Sequence, residues 1–414
     1  MSLDKLIKSI NSVTEESVNS LSPKKRGALS QACRRVQRMC ESPPEKTFRI
    51  LFAGYQSIVL RLAIDLKLFD AVVERTAANA TPNRIGKVTV DQIASDTQAQ
   101  DVLVARIMRF LSSMGMLKQL NKDTFVTTPL TECYLSDTLL SQAVIYFTHI
   151  QSFVARLPDY FRSTKYENPS DKTCPPFQFV VGPTGDYYQY LANNPYYQEA
   201  FDPVMKKIWD LYGILWFNLY PVDRKLIMPS DPISSGIFLV DIGGNGQLLR
   251  AFCARFPNLP GTVVLQTPPN KAVPRLPAAI KCYPYDYFQP QREQGARVYL
   301  LHKVLHQWSD DKARNILERV KDAMKNESVL LIVERVIPEK DVAMLDLVQD
   351  LGEMVCHARK ERTEREFRDI FSEVGFWVGA SWKGKNGEDI ELGTKTGMRM
   401  VIFEAKLMSA VLYP

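Results

Sequence analysis

Between Leu239 and Gly246 the chain reads Leu-Val-Asp-Ile-Gly-Gly-Asn-Gly. An apolar run ends in an acid and passes at once into three closely spaced glycines, Gly243, Gly244 and Gly246. Such glycines let a backbone turn sharply and approach a ligand closely. A strand that closes this way forms a nucleotide-type cofactor crevice. The next strand ends as Val263-Val264-Leu265-Gln266-Thr267, without a carboxylate to grip a ribose. An altered cofactor site is therefore expected.

The surrounding rhythm is strand then helix. Strands are expected at 237–240, 263–265, 280–283, 298–301, 328–333 and 398–403. Helices are expected at 247–256, 311–324 and 364–374, the second with Ala313, Ile316, Leu317, Val320 and Ala323 on one face. This alternation implies a mostly parallel sheet covered on both sides. The N-terminal half reads differently. A polar helical stretch runs to a break at Pro43-Pro44, and a helical pattern follows from Arg49. A helix over 102–115 leads into a hairpin of 117–120 and 125–128, which suggests a winged-helix module. Helical and aromatic segments from Leu139 to Leu215 are expected to bridge the halves and line a cleft.

At 414 residues and 45% apolar content, the chain can bury a large core. The net charge of +6 is mild, and the basic runs at 24–26 and 34–38 are short, so a nucleic-acid surface is not expected. Seven cysteines without a CxxC pair fit a reducing compartment. No apolar run of membrane-spanning length is expected, and residues 1–5 lack a signal-peptide character. These features point to a soluble cytoplasmic protein without integral membrane association.

Three ionisable features fall in loops after expected strands, where doubly wound domains place their sites. In His302-Lys303-Val304-Leu305-His306, His306 can exchange a proton near neutral pH, and Lys303 can polarise a carbonyl. Glu334 and Glu361 can set an imidazole's tautomer and basicity. The plainer alternatives are that Glu334 pairs with Arg335 or Lys340 and that Glu361 caps the helix near Thr363. His302 and His306 lack the glutamate of a metal-binding HExxH pattern, so no metal is expected. His149, in an aromatic segment, is either a core residue or a pocket-wall donor to a substrate oxygen.

From about Leu51 to Leu407 the chain resembles small-molecule O-methyltransferases that use S-adenosylmethionine, most of all the fungal branch of polyketide and alkaloid pathways. The resemblance rests on Asp241–Gly246, on Asp286-Tyr287-Phe288 as an adenine-side motif, on His306 as general base, on Glu334, and on Glu361-Arg362-Thr363. It implies an α/β fold: a C-terminal Rossmann-like class I methyltransferase domain behind an N-terminal helical winged-helix dimerisation domain. The implied divisions are an extension at 1–48, the dimerisation domain at 49–135, a helical bridge at 136–225 and the catalytic domain at 226–414. The implied cofactor-binding residues are Asp241, Gly243, Gly244, Gly246, Gln266, Thr267, Asp286, Tyr287 and Phe288, and a homodimer is expected.

The departures redirect the functional expectation. Asn245 replaces a glycine, Thr267 replaces the ribose-binding acid, and Gln307 replaces the acid that follows the histidine. Loss of one charge-assisted bond costs roughly 1.5–3 kcal/mol, or about ten- to a hundredfold in affinity. The pattern is similar to the methyltransferase-fold pericyclases of fungal pyridone biosynthesis. That resemblance implies dehydration-linked Alder-ene or hetero-Diels–Alder closure of a quinone methide derived from a hydrophobic polyketide or pyridone, without net methyl transfer. S-adenosylmethionine is then a possible electrostatic cofactor. The expected catalytic residues are His149, Lys303, His306, Glu334 and Glu361. Two other readings stay open: an ordinary O-methyltransferase with His306 as base, and an inactive dimeric scaffold.

Overall fold

A computed structural model of the chain describes residues 2–82, 86–212, 215–227, 235–269, 273–384 and 399–412. The chain divides into two units, residues 1–148 and 149–414. The first unit holds β1 (Val88–Thr89), β2 (Leu117–Asn121) and β3 (Thr124–Thr127), which form a small antiparallel sheet in the order β1-β3-β2. Helices Leu68–Ala78, Val90–Thr97 and Asp101–Ser113 pack with it around Phe69, Val72, Ile93, Ile107, Leu111 and Phe125. The expected hairpin is present, and β1 adds a third strand too short to show a period.

Two expectations for the N-terminal region change. The expected break is present, between helices Pro23–Cys40 and Pro43–Asp65, but the second helix starts at the prolines and not at Arg49, because proline in the first turn forfeits no intrahelical bond. That helix is also long and apolar enough to cross a membrane by length and composition, and only 11% of its apolar window is buried within the chain. In sequence its apolar residues are interrupted by Gly54, Gln56 and Ser57. The helix gathers Phe48, Leu51, Phe52, Tyr55, Ile58 and Leu62 into an exposed stripe at three- and four-residue spacing.

The second unit is organised by one sheet. Its strands are β4 (Ile237–Ile242), β5 (Thr262–Thr267), β6 (Ile280–Pro284), β7 (Val298–His302), β8 (Val329–Ile337), β9 (Arg362–Thr363), β10 (Phe376–Lys383) and β11 (Arg399–Leu407). Their order is β10-β11-β8-β7-β4-β5-β6, with β9 beside β8. Strands β6, β5, β4, β7 and β8 run parallel, and β11 and β10 close the sheet antiparallel. Met398, the expected first residue of the last strand, lies outside the described residues.

Both faces of the parallel strands are covered, as expected for near-continuous apolar runs. On one face Val240, Ile242, Tyr299, Leu301 and Ile332 pack with helices Asp310–Ala323 and Glu364–Val374. On the other, Leu239, Leu265, Leu300 and Leu331 pack with Trp216, Phe217 and Phe252. Gly375, left-handed at φ 91°, ends the second of those helices as expected.

Candidate active site

The strand order reverses at β4. The chain moves outward through β5 and β6, then returns to place β7 and β8 on the other side. Loops leaving the carboxyl ends of β4 and β7 therefore diverge and open a crevice. The glycine turn leaves β4 there, and the His302–His306 segment leaves β7.

The glycine turn is built around Asp241. A Cβ on Gly244 would stand 2.4 Å from Asp241 Oδ2, so only glycine admits this approach. Gly243 and Gly246 both have positive φ, and the Gly243 amide donates to the Gln266 carbonyl at 2.7 Å. Burial raises the Asp241 carboxyl to about 7. Asp241 Oδ1 and Thr267 Oγ1 are buried without a hydrogen-bond partner among the described residues. Buried polar atoms left this way are costly unless a ligand satisfies them. The aromatic side is formed by Tyr287 and Phe288, whose rings lie 5.8 and 4.8 Å from Trp308. A Cβ on Gly243 would meet Tyr287. The Asp286 carboxylate accepts from the Phe288 amide at 3.0 Å and so shapes this turn. Gln266 is placed differently: its amide exchanges bonds of 2.6 and 3.0 Å with Gln291, and its side chain is fully buried. These positions fit a polar organic cofactor of the S-adenosylmethionine type, with Gln266 serving the fold. Among the described residues no cluster of three or more His, Cys, Asp or Glu could hold a metal.

The loop after β7 is held from two sides. Glu334, fully buried on β8, accepts from the Leu305 amide at 2.7 Å and the His306 amide at 3.4 Å. Burial raises its carboxyl to about 8. Arg362, also fully buried, donates to the Leu305 carbonyl at 3.1 Å, the Trp308 carbonyl at 2.6 Å and Asp310. Neither Glu334 alternative set out from the sequence describes this arrangement. Glu334 secures the loop's donors, while Arg335 pairs with Glu361. Glu361 does not cap the following helix; Thr363 does, in a capping box with Glu366.

Lys303 occupies a left-handed backbone conformation at φ 54°. Its amide donates to the Val333 carbonyl at 2.9 Å, and the Gln307 side-chain amide donates to its carbonyl at 2.7 Å. An aspartate at position 307 could not donate that bond. Burial, with Arg335 nearby, lowers the Lys303 ammonium to about 8. His306 rides on the short turn Leu305–Gln307 and is pushed well below the usual imidazole range, chiefly by burial. His302 is lowered to about 3, again chiefly by burial.

Two functional candidates escaped the sequence reading. Glu353 and Arg359 sit at the end of helix Met344–His357 and pair at 3.1 Å. Glu353 is the strongest charge acting on His306, and His357 acts on Glu353 from the same helix. The helix lacked a turn signal at its end, because its left-handed terminal residue is Ala358 rather than glycine. His149 lies in a separate aromatic cage, stacked on Tyr197 at 3.7 Å and Tyr190 at 5.6 Å, with Phe153 edge-on at 4.7 Å. Tyr187 links this cage to His357, its ring standing 6.3 Å from His149 and 5.5 Å from His357.

An O-methyltransferase domain model matches residues 157–377, and an O-methyltransferase dimerisation domain model matches residues 48–137. The chain belongs to the O-methyltransferase family. It is 29% identical to methyltransferase cfoC of Aspergillus candidus, over 92% of this chain and 93% of that protein. The structure of LepI with SAH and a substrate analogue superposes with a TM-score of 0.65 at 22% identity, covering 98% of this chain and all of the other. A structure described as a pericyclic reaction enzyme gives a TM-score of 0.63 at 22% identity, with 98% and 100% coverage. At this identity the two structures share the fold of this family member.

Proposed function

We propose that this O-methyltransferase-family protein is a pericyclase acting on a hydrophobic polyketide or pyridone alcohol. Lys303 carries the reading: a partly buried cation beside His306 suits a neutral, carbonyl-bearing reactant better than an oxygen nucleophile awaiting a methyl group. The fold shared with a pericyclic reaction enzyme supports it. So does Thr267, which leaves the second strand end without a carboxylate.

In this reading Lys303 donates to the pyridone oxygen and withdraws electron density. His306 takes the proton of the ring hydroxyl and returns it to the departing side-chain hydroxyl. The carbon–oxygen bond breaks, water leaves, and a neutral quinone methide remains. Ring closure then redistributes π electrons into new σ bonds without gain or loss of atoms. The aromatic cage of His149, Phe153, Tyr190 and Tyr197 holds the alkyl chain folded, so proximity replaces free chain motion. Asp241, Gly243, Gly244, Gly246, Thr267, Asp286, Tyr287 and Phe288 would hold S-adenosylmethionine. When bound, that cofactor supplies a sulfonium, a fixed positive charge and a transferable methyl group.

The exposed stripe on helix Pro43–Asp65 lies largely within the matched dimerisation domain and supports a homodimer. Seven free cysteines support a reducing, cytoplasmic setting. Incubating the protein with a pyridone alcohol and methyl-labelled S-adenosylmethionine tests the proposal. A cyclised product without label is expected. A labelled methyl ether formed with efficient turnover refutes the reading and restores the ordinary methyltransferase, for which retention of His306, Glu334 and Glu361 already speaks.

A further inference from the structure

Five of the chain's six net positive charges lie in its first 40 residues, which carry eight lysines and arginines against three acids, Asp4, Glu15 and Glu16. This stretch precedes the matched dimerisation domain, which begins at residue 48. Six of the eight cations, Lys24, Lys25, Arg26, Arg34, Arg35 and Arg38, stand on helix Pro23–Cys40, which has no acid. Helical spacing puts Lys24, Arg34, Arg35 and Arg38 on one face. All eight are exposed, and none forms an ion pair among the described residues. The next arginines along the chain behave otherwise: Arg49, Arg61 and Arg75 each pair with a carboxylate. Cations gathered without counter-charges repel one another and attract an anionic partner from outside.

The second feature is apolar. Helix Leu3–Asn11 sets Leu3, Leu6, Ile7 and Ile10 in one stripe, with Asp4, Lys5 and Lys8 on the other side. Leu3 is 72% exposed, Ile7 49% and Ile10 44%. No residue of this helix or of helix Pro23–Cys40 is buried, so the core of the chain does not claim either. An amphipathic helix joined to a cluster of unpaired cations matches a membrane surface: the apolar face enters the headgroup boundary while the cations meet anionic headgroups. Other partners fit less well. A nucleic acid satisfies the cations but leaves Leu3, Ile7 and Ile10 in water. A second copy of the extension covers the stripe but brings its own excess of five positive charges.

We propose that residues 2–40 attach the protein to an anionic phospholipid surface, with Leu3, Ile7 and Ile10 in the interface and the arginine face of helix Pro23–Cys40 on the headgroups. The attachment is peripheral, because a helix of nine residues is too short to cross a bilayer. Surface binding of this kind stands apart from the reaction proposed above.

Flotation of the full-length protein with vesicles tests it. Vesicles of phosphatidylcholine and phosphatidylserine are expected to carry the protein at low salt and to release it as salt rises, whereas phosphatidylcholine alone leaves it behind. Arg34→Gln, Arg35→Gln and Arg38→Gln together should weaken binding to the anionic vesicles by about a hundredfold. Ile7→Gln with Ile10→Gln should weaken it by about tenfold while the salt dependence persists. These five positions are exposed, so circular dichroism should stay unchanged. Absence of binding to the anionic vesicles, equal binding to both kinds, or wild-type binding by either variant overturns the proposal. An RNA oligonucleotide that binds when the vesicles do not overturns it in favour of a nucleic acid. A dimer that dissociates in the Ile7→Gln, Ile10→Gln variant, as read by sedimentation without vesicles, overturns it in favour of a second copy.

Discussion

Lys303 combines a strained backbone, partial burial and a positive charge in one residue, and Gln307 holds that backbone by its carbonyl. Lys303→Met is expected to lower the cyclisation rate by about a hundredfold, the usual scale for one lost oxyanion donor, with circular dichroism unchanged. With its ammonium lowered to about 8, Lys303 is charged below that pH and neutral above it. The cyclisation rate should therefore fall as pH rises through about 8, and a pH–rate profile with a single descending limb there would bear this out. Asp241 gives a stability test. Its carboxyl moves from 3.8 to about 7 on folding, so the native state holds more protons than the unfolded state between those values. The contribution of Asp241 to stability therefore falls as pH rises across that window. Asp241→Asn escapes the loss. Thermal melts should show its advantage over wild type growing from pH 5 to pH 8.

The loop after β7 keeps its shape because neighbouring strands supply a donor and an acceptor that are both fully buried. Glu334 on β8 takes the amides, and Arg362 on β9 takes the carbonyls. Arg362→Leu removes donors to two loop carbonyls and should cost about 1.5–3 kcal/mol in urea unfolding, together with most of the activity. Glu334→Gln retains an acceptor and should cost far less in the same measurement. The motif Glu361-Arg362-Thr363 is thus three separate devices: a partner for Arg335, a loop staple and a helix cap. Its presence was visible in sequence. Its division of labour was not, because each partner lies on a different strand or helix.

For the molecule as a whole, the exposed stripe of helix Pro43–Asp65 has the spacing of a buried helical face and little within the chain to cover it. A second copy of the chain, the homodimer proposed above, accounts for that exposure. Phe52→Glu together with Tyr55→Glu should shift sedimentation from dimer to monomer without a large change in secondary structure. A dimer that survives both charges would reject this surface as the interface.

The amino-acid sequence by itself determined the strand–glycine–helix turn, the alternation that makes a parallel sheet, and the motif order that marks the family. Those features are local, set by side-chain period and by backbone freedom at particular glycines, and they need no distant partner. It also placed His306 and Lys303 after a strand, where doubly wound sheets open. Only the tertiary structure decided which carboxylate serves which task. It gave Glu334 to the loop amides, Glu361 to Arg335 and Glu353 to Arg359. It likewise turned Gln266 toward Gln291 and enclosed His149 in aromatic rings. Hydrogen bonds and charge pairs between distant segments follow from packing, and three glutamates that read alike along a chain acquire different chemistry once their surroundings differ.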